Sequence, residues 1–512
     1  MQRPSKSQVA VFVCILAGYV AVRFWNISAS CLWFDEIFSV HAAEHSWSSI
    51  LNFVALDLIH PPLFYVLLKL WIAAGGEGLF WLRALPVAFS ILAIVPFVLL
   101  CRELRLGWWT TIIAYFLIAV NGSLIKYAQE VRMYSMLMCV SLFSLWLFAR
   151  FFRTGKGIVI LTIVNLVLVY THYFGWLVLL SEVTAILVFQ RIKWRPILVM
   201  SLVLLVGFSP WMMAVFSAAT SGSELSQNIG WVQRPGIIGA LQLALGLVEP
   251  FYYSSTSIDP LSVYRVSIPL MLIAITAICL YFANPKKLEA DEARSSYLLI
   301  IFVVVPVACA FVASWILPYS IWGTRHLVIV FVPLSILVAN AIINLPSLKI
   351  KTFLLTTLVL FVGYAFFLQT QRPVNEPIWC GFETVGREMT AGRNAPVVVF
   401  EDLAAYHLWF TFRKDDKPPQ MVKVQDVPGM IEDPAYFLPR GFDGDSKVSA
   451  DALNYDEMSI IYRASSYDPT QQPIVELVNK GYEVIEQKTY DFGYQKLVGV
   501  FLRHDTSVAA RK

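Results

Sequence analysis

The chain has 512 residues, 58% of them hydrophobic and 14% charged, with a net charge of +4. Soluble domains carry about 25% charged residues, so a globule of this composition lacks the polar groups to cover its surface. At a mean hydropathy of +0.65 most of the chain must face lipid, which excludes a large soluble enzyme; nucleic acid is not an expected partner.

Arg3 and Lys6 precede an apolar run over residues 9–22. The small-residue cleavage pattern of a signal peptide is poor there. Ser28-Ala29-Ser30 before Cys31 also lacks the apolar residue of a lipoprotein signal, so the run is read as an uncleaved helix. Residues 31–62 follow as CLWFDEIFSVHAAEHSWSSILNFVALDLIHPP, which gathers Asp35, Glu36, His41, Glu44, His45, Asp57 and His60. Ionisable groups held against a bilayer are costly and mark a functional site by default.

Spans of about twenty apolar residues are predicted near 8–25, 81–101, 108–125, 131–149, 157–173, 174–190, 196–216, 262–283, 297–317, 326–345 and 352–370. Their sense follows from the positive-inside rule. Basic residues gather at Arg3/Lys6, Arg102/Arg105, Arg150/Arg153/Lys156, Arg191/Lys193/Arg195, Lys286/Lys287/Arg294 and Lys349/Lys351, at every second loop. The Asp35 stretch, Lys126 to Arg132, His172–Tyr173, 217–261 and 318–325 are then outside. Residues 60–74 (HPPLFYVLLKLWIAA) are too short to span and would invert every later cluster. They are read as a helix at the outer interface with Pro61 and Pro62 in its first turn, where proline is tolerated.

From about residue 372 the composition turns polar. Strand-like runs at 397–400, 459–462, 482–486 and 496–502 alternate with helical patterns at 401–412 and 471–480, the pattern of a small α/β domain. The expected fold is therefore mainly α: a polytopic membrane protein of eleven spans, with thirteen as the alternative count, and a small extracytoplasmic α/β domain. The expected domains are 1–370, with the first outer loop at 26–80, and 371–512. Seven cysteines show no CxxC spacing, and five lie in apolar segments as small hydrophobes. Cys31 and Cys380 fall on the same outer side, so a disulfide is compatible with this scheme, although sequence does not set connectivity.

The outer segments carry the chemistry. Asp35-Glu36 follows Trp33-Phe34, an aromatic pair suited to the headgroup level. Asp35 is read as a general base for a hydroxyl, against the alternative of a helix N-cap. His41-Ala-Ala-Glu44-His45 matches an inverted zinc-peptidase pattern, but no downstream acid on an apolar helix offers a third ligand. A polar helix face is the plainer reading. His60 before Pro61-Pro62 is held extended, ready to meet an anion or to cap the next helix.

In the later loop Lys126, Gln129, Glu130 and Arg132 stand together before Tyr134. Glu130 and Arg132 cannot face each other on a helix, whereas Lys126 and Glu130 also suit a plain surface pair. His172 and Arg325 complete the rim, with Arg325 as a phosphate clamp or a cation snorkelling to water. Asp443-Gly444-Asp445 reads as a turn. Carboxylates in the first loop and cations elsewhere suit transfer from a lipid-linked anionic donor to an acceptor hydroxyl.

WFDE, HPPL, QEVRMYS, THYF and TRHL, in this order over roughly residues 8–345, resemble the bacterial family-39-like glycosyltransferases of the GT-C fold. That group includes protein O-mannosyltransferase relatives, aminoarabinose transferases and Rgt-type enzymes. The resemblance implies a multi-pass enzyme of the cytoplasmic membrane using a polyprenyl-phosphate monosaccharide at the outer face. It implies inversion at the anomeric carbon, with Asp35 as base, and a glycan, lipid or protein as acceptor. Glu36, His60, Lys126, Gln129, Glu130, Arg132, Tyr134, His172 and Arg325 are the expected substrate-binding residues.

The aminoarabinose branch differs in having Tyr where Ser39 stands and Glu-Lys where Ile59-His60 stand, with a metal held by that Glu and a later His. Loop 217–261 has no His, so no metal site is assigned and a divalent metal is left without these ligands. The Rgt-like branch is the nearer pattern. The competing class is a lipid or polysaccharide transporter, which predicts paired repeats and ionisable residues near the bilayer midplane. No repeat is visible, and the charges are read as standing at the outer ends of helices.

Overall fold

The structure is a computed structural model that describes residues 3–189, 194–220, 228–251, 260–283, 290–371, 378–425, 427–430, 433, 435–492 and 495–504. The basic clusters at Arg191/Lys193 and Lys286/Lys287 lie outside the described residues. The chain divides into two compact units, one of Met1–Ile27 with Ala43–Arg372, the other of Ser28–Ala42 with Pro373–Lys512.

The first unit is helical. In chain order its helices, with α2 shared across the division, are α1 (Lys6–Phe24), α2 (Phe34–Glu44), α3 (Ile50–Asp57), α4 (Leu63–Gly75), α5 (Leu79–Leu92), α6 (Ile94–Glu103) and α7 (Trp108–Val120). There follow α8 (Gly122–Ala128), α9 (Tyr134–Thr154), α10 (Ile158–Thr171), α11 (Gly175–Phe189) and α12 (Arg195–Thr220). The unit ends with α13 (Ile237–Val248), α14 (Pro260–Phe282), α15 (Ala290–Ile316), α16 (Phe331–Ile343) and α17 (Leu348–Thr370).

All eleven expected spans fall on helices. Among the described residues eight helical stretches are long and apolar enough to cross a membrane, while α7, α10 and α11 are shorter apolar helices. The chain is thus a multi-pass membrane protein. Helices α9 and α16 are apolar on every side and form its buried centre, as an all-round hydrophobic helix should. Those at the rim expose large apolar side chains, such as Val206, Met213 and Phe216 on α12, each 70% exposed or more; this is lipid-facing surface.

Two breaks shape the helix ends around residues 121–133. Asn121 ends α7 and caps α8, accepting from the Leu124 N–H at 3.0 Å while its amide donates to the Leu247 carbonyl at 3.1 Å. The expected span over 131–149 starts only at Tyr134, leaving Gln129 to Met133 outside both helices. Proline 62 is the N-cap residue of α4 rather than part of its first turn.

One acid contradicts the expectation that charges stand only at helix ends. Glu182, midway along α11, is fully buried. Its Oε2 accepts from Asn165 Nδ2 at 2.8 Å, and its Oε1 lies 2.7 Å from Ser144 Oγ. Asn165 Oδ1 lies 2.6 Å from the same Ser144 Oγ, which closes the ring of three side chains. A carboxyl with both oxygens engaged by polar side chains ties α9, α10 and α11 together, which is how an acid is tolerated in lipid.

The second unit is an α/β domain. Its elements after residue 372 are α18 (Ile378–Thr390), β1 (Val397–Val399), α19 (Asp402–Phe412), β2 (Met421–Val424), β3 (Ser446–Val448), β4 (Glu457–Arg463), α20 (Ile474–Asn479), β5 (Tyr482–Asp491) and β6 (Lys496–His504). One six-stranded sheet runs β3-β2-β1-β4-β6-β5. Strands β3, β2, β1 and β4 run parallel, and β6 is antiparallel to both of its neighbours, β4 and β5. The sequence pattern located β1, β4, β5, β6 and both helices after β1; it did not locate β2 and β3.

At Asp443-Gly444-Asp445 the chain bends as expected. Gly444 is needed because a Cβ there would stand 2.3 Å from the Trp409 ring. On α19, His407 is buried, and its Nε2 has no hydrogen-bond partner among the described residues. Burial pushes its pKa from 6.5 down to about 3. Since the folded value lies below the unfolded one, its contribution to stability is complete above pH 6.5 and declines as pH falls toward 3. The slope is roughly 1.4 kcal/mol per pH unit. Thermal melts of the full chain should show the α/β domain losing stability below pH 6.5, and His407→Phe should flatten that decline. Parallel slopes in the two proteins would refute the assignment.

Candidate active site

Within the helical unit, a buried polar chain begins where α3 ends. Leu58 adopts a left-handed conformation, φ 66°, which is uncommon for a branched residue. It folds the chain back so that His60 Nδ1 lies 2.6 Å from Asp57 Oδ2. Arg132 Nη2 lies 3.0 Å from His60 Nε2, and Arg132 Nη1 donates to Tyr65 Oη at 3.3 Å. Because a guanidinium only donates, His60 Nε2 is the acceptor and Nδ1 carries the proton toward Asp57. Asn228 adds its amide to the backbone carbonyl of Asp57. Asn228, Asp57, His60, Arg132 and Tyr65 thus form one connected series of hydrogen bonds, with Arg132 only 2% exposed.

His172 stands beside this chain, its ring centroid 5.9 Å from that of His60, 5.1 Å from His326 and 6.4 Å from Tyr134. Its Nδ1 accepts from the Phe174 N–H at 3.0 Å, so in the neutral ring Nε2 carries the hydrogen. That N–H is buried and has no acceptor among the described residues, and His326 Nδ1 is likewise unpartnered. Burial first, then the charges of His60, Arg132 and Arg325, hold the His172 imidazole well below its usual pKa of 6.5. It is a neutral donor in a cationic neighbourhood, suited to an anionic oxygen.

The other expected residues divide by role. Lys126 and Glu130 form an i,i+4 ion pair at 3.6 Å, as the plain reading had it. Gln129 turns its amide onto the end of α1, donating to the carbonyls of Arg23 at 3.0 Å and Trp25 at 2.8 Å. Tyr134 opens α9 and packs on Tyr127, centroids 5.3 Å apart. His45 stacks on Phe53 at 4.0 Å, and Lys69 donates to the carbonyls of Ala43 and His45.

Asp35 and Glu36 lie in the first turn of α2, in the other unit. The capping contact there is made by Glu36, whose Oε2 accepts from the Trp33 N–H at 3.1 Å, in the manner of a capping box. Asp35 contributes its backbone carbonyl to Ser39 Oγ at 3.0 Å. His41 Nδ1 lies 2.9 Å from the Tyr406 hydroxyl. Among the described residues no group of three or more His, Cys, Asp or Glu side chains is arranged to hold a metal ion.

Sequence reasoning assigned no role to Asp57 or His326, although both were in view. The signal for Asp57 is its place three residues before His60, the reach of a local side-chain pair. For His326 there was only its adjacency to Arg325.

No protein-family model matches the chain, and no curated protein matches it. Solved structures do. ArnT from Cupriavidus metallidurans, bound to undecaprenyl phosphate, aligns over 97% of this chain and 98% of its own at 14% identity and a TM-score of 0.57. The same ArnT in the apo state aligns over the same shares at 15% identity and a TM-score of 0.48. The oligosaccharyltransferase of Archaeoglobus fulgidus with Zn and sulfate covers 78% of this chain and 61% of its own length, at 13% identity and a TM-score of 0.46. The match to liganded ArnT shows that the chain shares its fold, the GT-C fold that the ordered motifs led us to expect.

Proposed function

We propose that this protein is a glycosyltransferase that moves one monosaccharide from a polyprenyl-phosphate donor to an acceptor hydroxyl on the outer face of the cytoplasmic membrane. The observation that carries this reading is the buried His172 Nε2–H, a donor lacking a protein acceptor among the described residues, set beside Arg132. A phosphate oxygen supplies what that donor lacks, and the shared fold belongs to a protein captured with undecaprenyl phosphate.

In the reaction Asp35 takes the proton of the acceptor hydroxyl. The hydroxyl oxygen attacks the anomeric carbon from the face opposite the phosphate, and the bond from that carbon to the phosphate oxygen breaks, inverting the centre. The electron pair leaves with the polyprenyl phosphate, whose charge Arg132, Arg325 and His172 stabilise. Asp57 sets the tautomer of His60, and His60 orients Arg132. Lys126, Glu130 and Tyr134 hold polar groups of the sugar or the acceptor, while Glu36 and Gln129 serve through the helix ends they cap.

A glycolipid, lipid A, a cell-wall polymer or a protein is the acceptor class. The disulfide between Cys31 and Cys380 supports placing that face on the oxidising side of the membrane, where such bonds persist. The test is a transfer assay with purified protein in vesicles, labelled undecaprenyl-phosphate sugars and envelope lipid or glycan extracts. Label should move to the acceptor fraction with release of undecaprenyl phosphate. Failure to consume every such donor would refute the reading.

A further inference from the structure

We infer that the C-terminal α/β domain is the frame that holds the Asp35 turn, so that Cys31, Phe34, His41, Cys380 and Tyr406 are positioning residues for the base. This rests on the reading of Asp35 given above. Residues Ser28–Ala42 belong to the same compact unit as Pro373–Lys512 although nearly the whole helical unit lies between them in sequence.

Three attachments bracket Asp35 within that unit. Before it, Cys31 is bonded to Cys380 of α18, with their Cα atoms 5.5 Å apart and a sequence separation of 349. The Cys31 N–H also points at Cys380 Sγ, at 3.1 Å. Immediately before it, Phe34 is 5% exposed and lies in an aromatic socket, 5.1 Å from both the Tyr406 and Tyr436 rings, 6.4 Å from His407 and 6.5 Å from Phe437. After it, His41 meets the Tyr406 hydroxyl at 2.9 Å and packs against Trp409 at 4.6 Å. Tyr406 is itself fully buried and stacked on Trp409 at 5.6 Å with planes 6° apart.

One ring, Tyr406, therefore receives the chain on both sides of Asp35, through Phe34 and through His41. A short helix tied covalently just before its start, packed in a socket at its first residue and hydrogen-bonded from its last turn has little freedom to tilt. A general base must be held within hydrogen-bond reach of its proton, and misplacement by about 1 Å can cost ~100-fold in rate. Anchoring the base turn gives the domain a task that needs no ligand of its own.

The test uses the full chain in three forms: wild type, Tyr406→Phe, and the double variant Cys31→Ser with Cys380→Ser. Two readouts are taken, hydrogen exchange of the peptide covering residues 31–44 and transfer kinetics beside binding of undecaprenyl phosphate. We expect faster exchange of that peptide in the double variant and in dithiothreitol-treated wild type, and a smaller increase in Tyr406→Phe. We expect kcat to fall at least tenfold in the double variant, with undecaprenyl phosphate binding unchanged within about twofold. Dithiothreitol should reproduce the kcat loss in wild type, reoxidation should reverse it, and the double variant should not respond.

Unchanged exchange of residues 31–44 in the double variant would overturn the inference, whatever the activity. So would wild-type kcat in a double variant whose peptide has loosened. If the wild type transfers no sugar, the proposed reaction fails, and the exchange data alone decide whether the domain holds the turn.

Discussion

Asp35→Asn should lower the transfer rate by about 10²–10⁴-fold, the range typical of a lost general base, while binding of undecaprenyl phosphate stays as in the wild type. The amide keeps the shape of the carboxylate and removes its basicity. The cap of α2 stays in place, because it is made by Glu36 and the Trp33 N–H, and the Ser39 hydroxyl keeps its bond to the backbone carbonyl of residue 35. Glu36→Gln supplies the contrast: its amide oxygen still accepts from Trp33, so turnover should change by no more than a few-fold. The measurement is single-turnover transfer of a labelled monosaccharide from the polyprenyl donor. Wild-type turnover by Asp35→Asn would remove Asp35 from the reaction.

Arg132→Met should produce the second large effect, at the other step: binding of undecaprenyl phosphate weakened by about 100-fold, in keeping with roughly 1.5–3 kcal/mol for each hydrogen bond to a charged group. Met fills much of the same volume but supplies no donor. The substitution leaves His60 Nε2 and the Tyr65 hydroxyl without the guanidinium that now engages both. It also removes a cation whose planar fork matches phosphate oxygens. Arg132→Lys should recover only part of the affinity, since one ammonium cannot hold His60 and Tyr65 in the present geometry and also meet a phosphate. Titration of the purified variants with undecaprenyl phosphate measures this directly, and unaltered affinity in Arg132→Met would take the phosphate site away from this cluster. The two variants are complementary: Asp35→Asn should bind without turning over, and Arg132→Met should fail earlier, at binding.

Much of this was legible residue by residue. Lys126 and Glu130, four apart at a helix end, form the ion pair their spacing allowed. Cys31 and Cys380, both allotted to the outer side, are joined. Glu182 was equally visible in the run SEVTAILVF, but counting charges at helix ends passed over it. Only the meeting of Ser144, Asn165 and Glu182 from three helices explains how an acid is kept there. Gln129 had the composition of a binding residue, and the structure uses its amide to cap α1. A sequence lists the donors a residue has; it does not say which acceptor reaches them first.

The sequence alone determined the helical membrane architecture, the α/β character of the last part of the chain and the segments between helices that gather polar groups. These follow from local properties: apolar run length, basic residues in alternate loops and the switch from helical to alternating patterns. Tertiary structure decided which polar groups meet. It brought Asp57, His60, Arg132 and His172 together from separate segments, and it placed the Asp35 segment in one unit with residues 373–512. The physical reason is that hydrogen bonds and ring contacts act over a few ångströms in space, whereas these partners are separated by anything from three residues to several hundred along the chain.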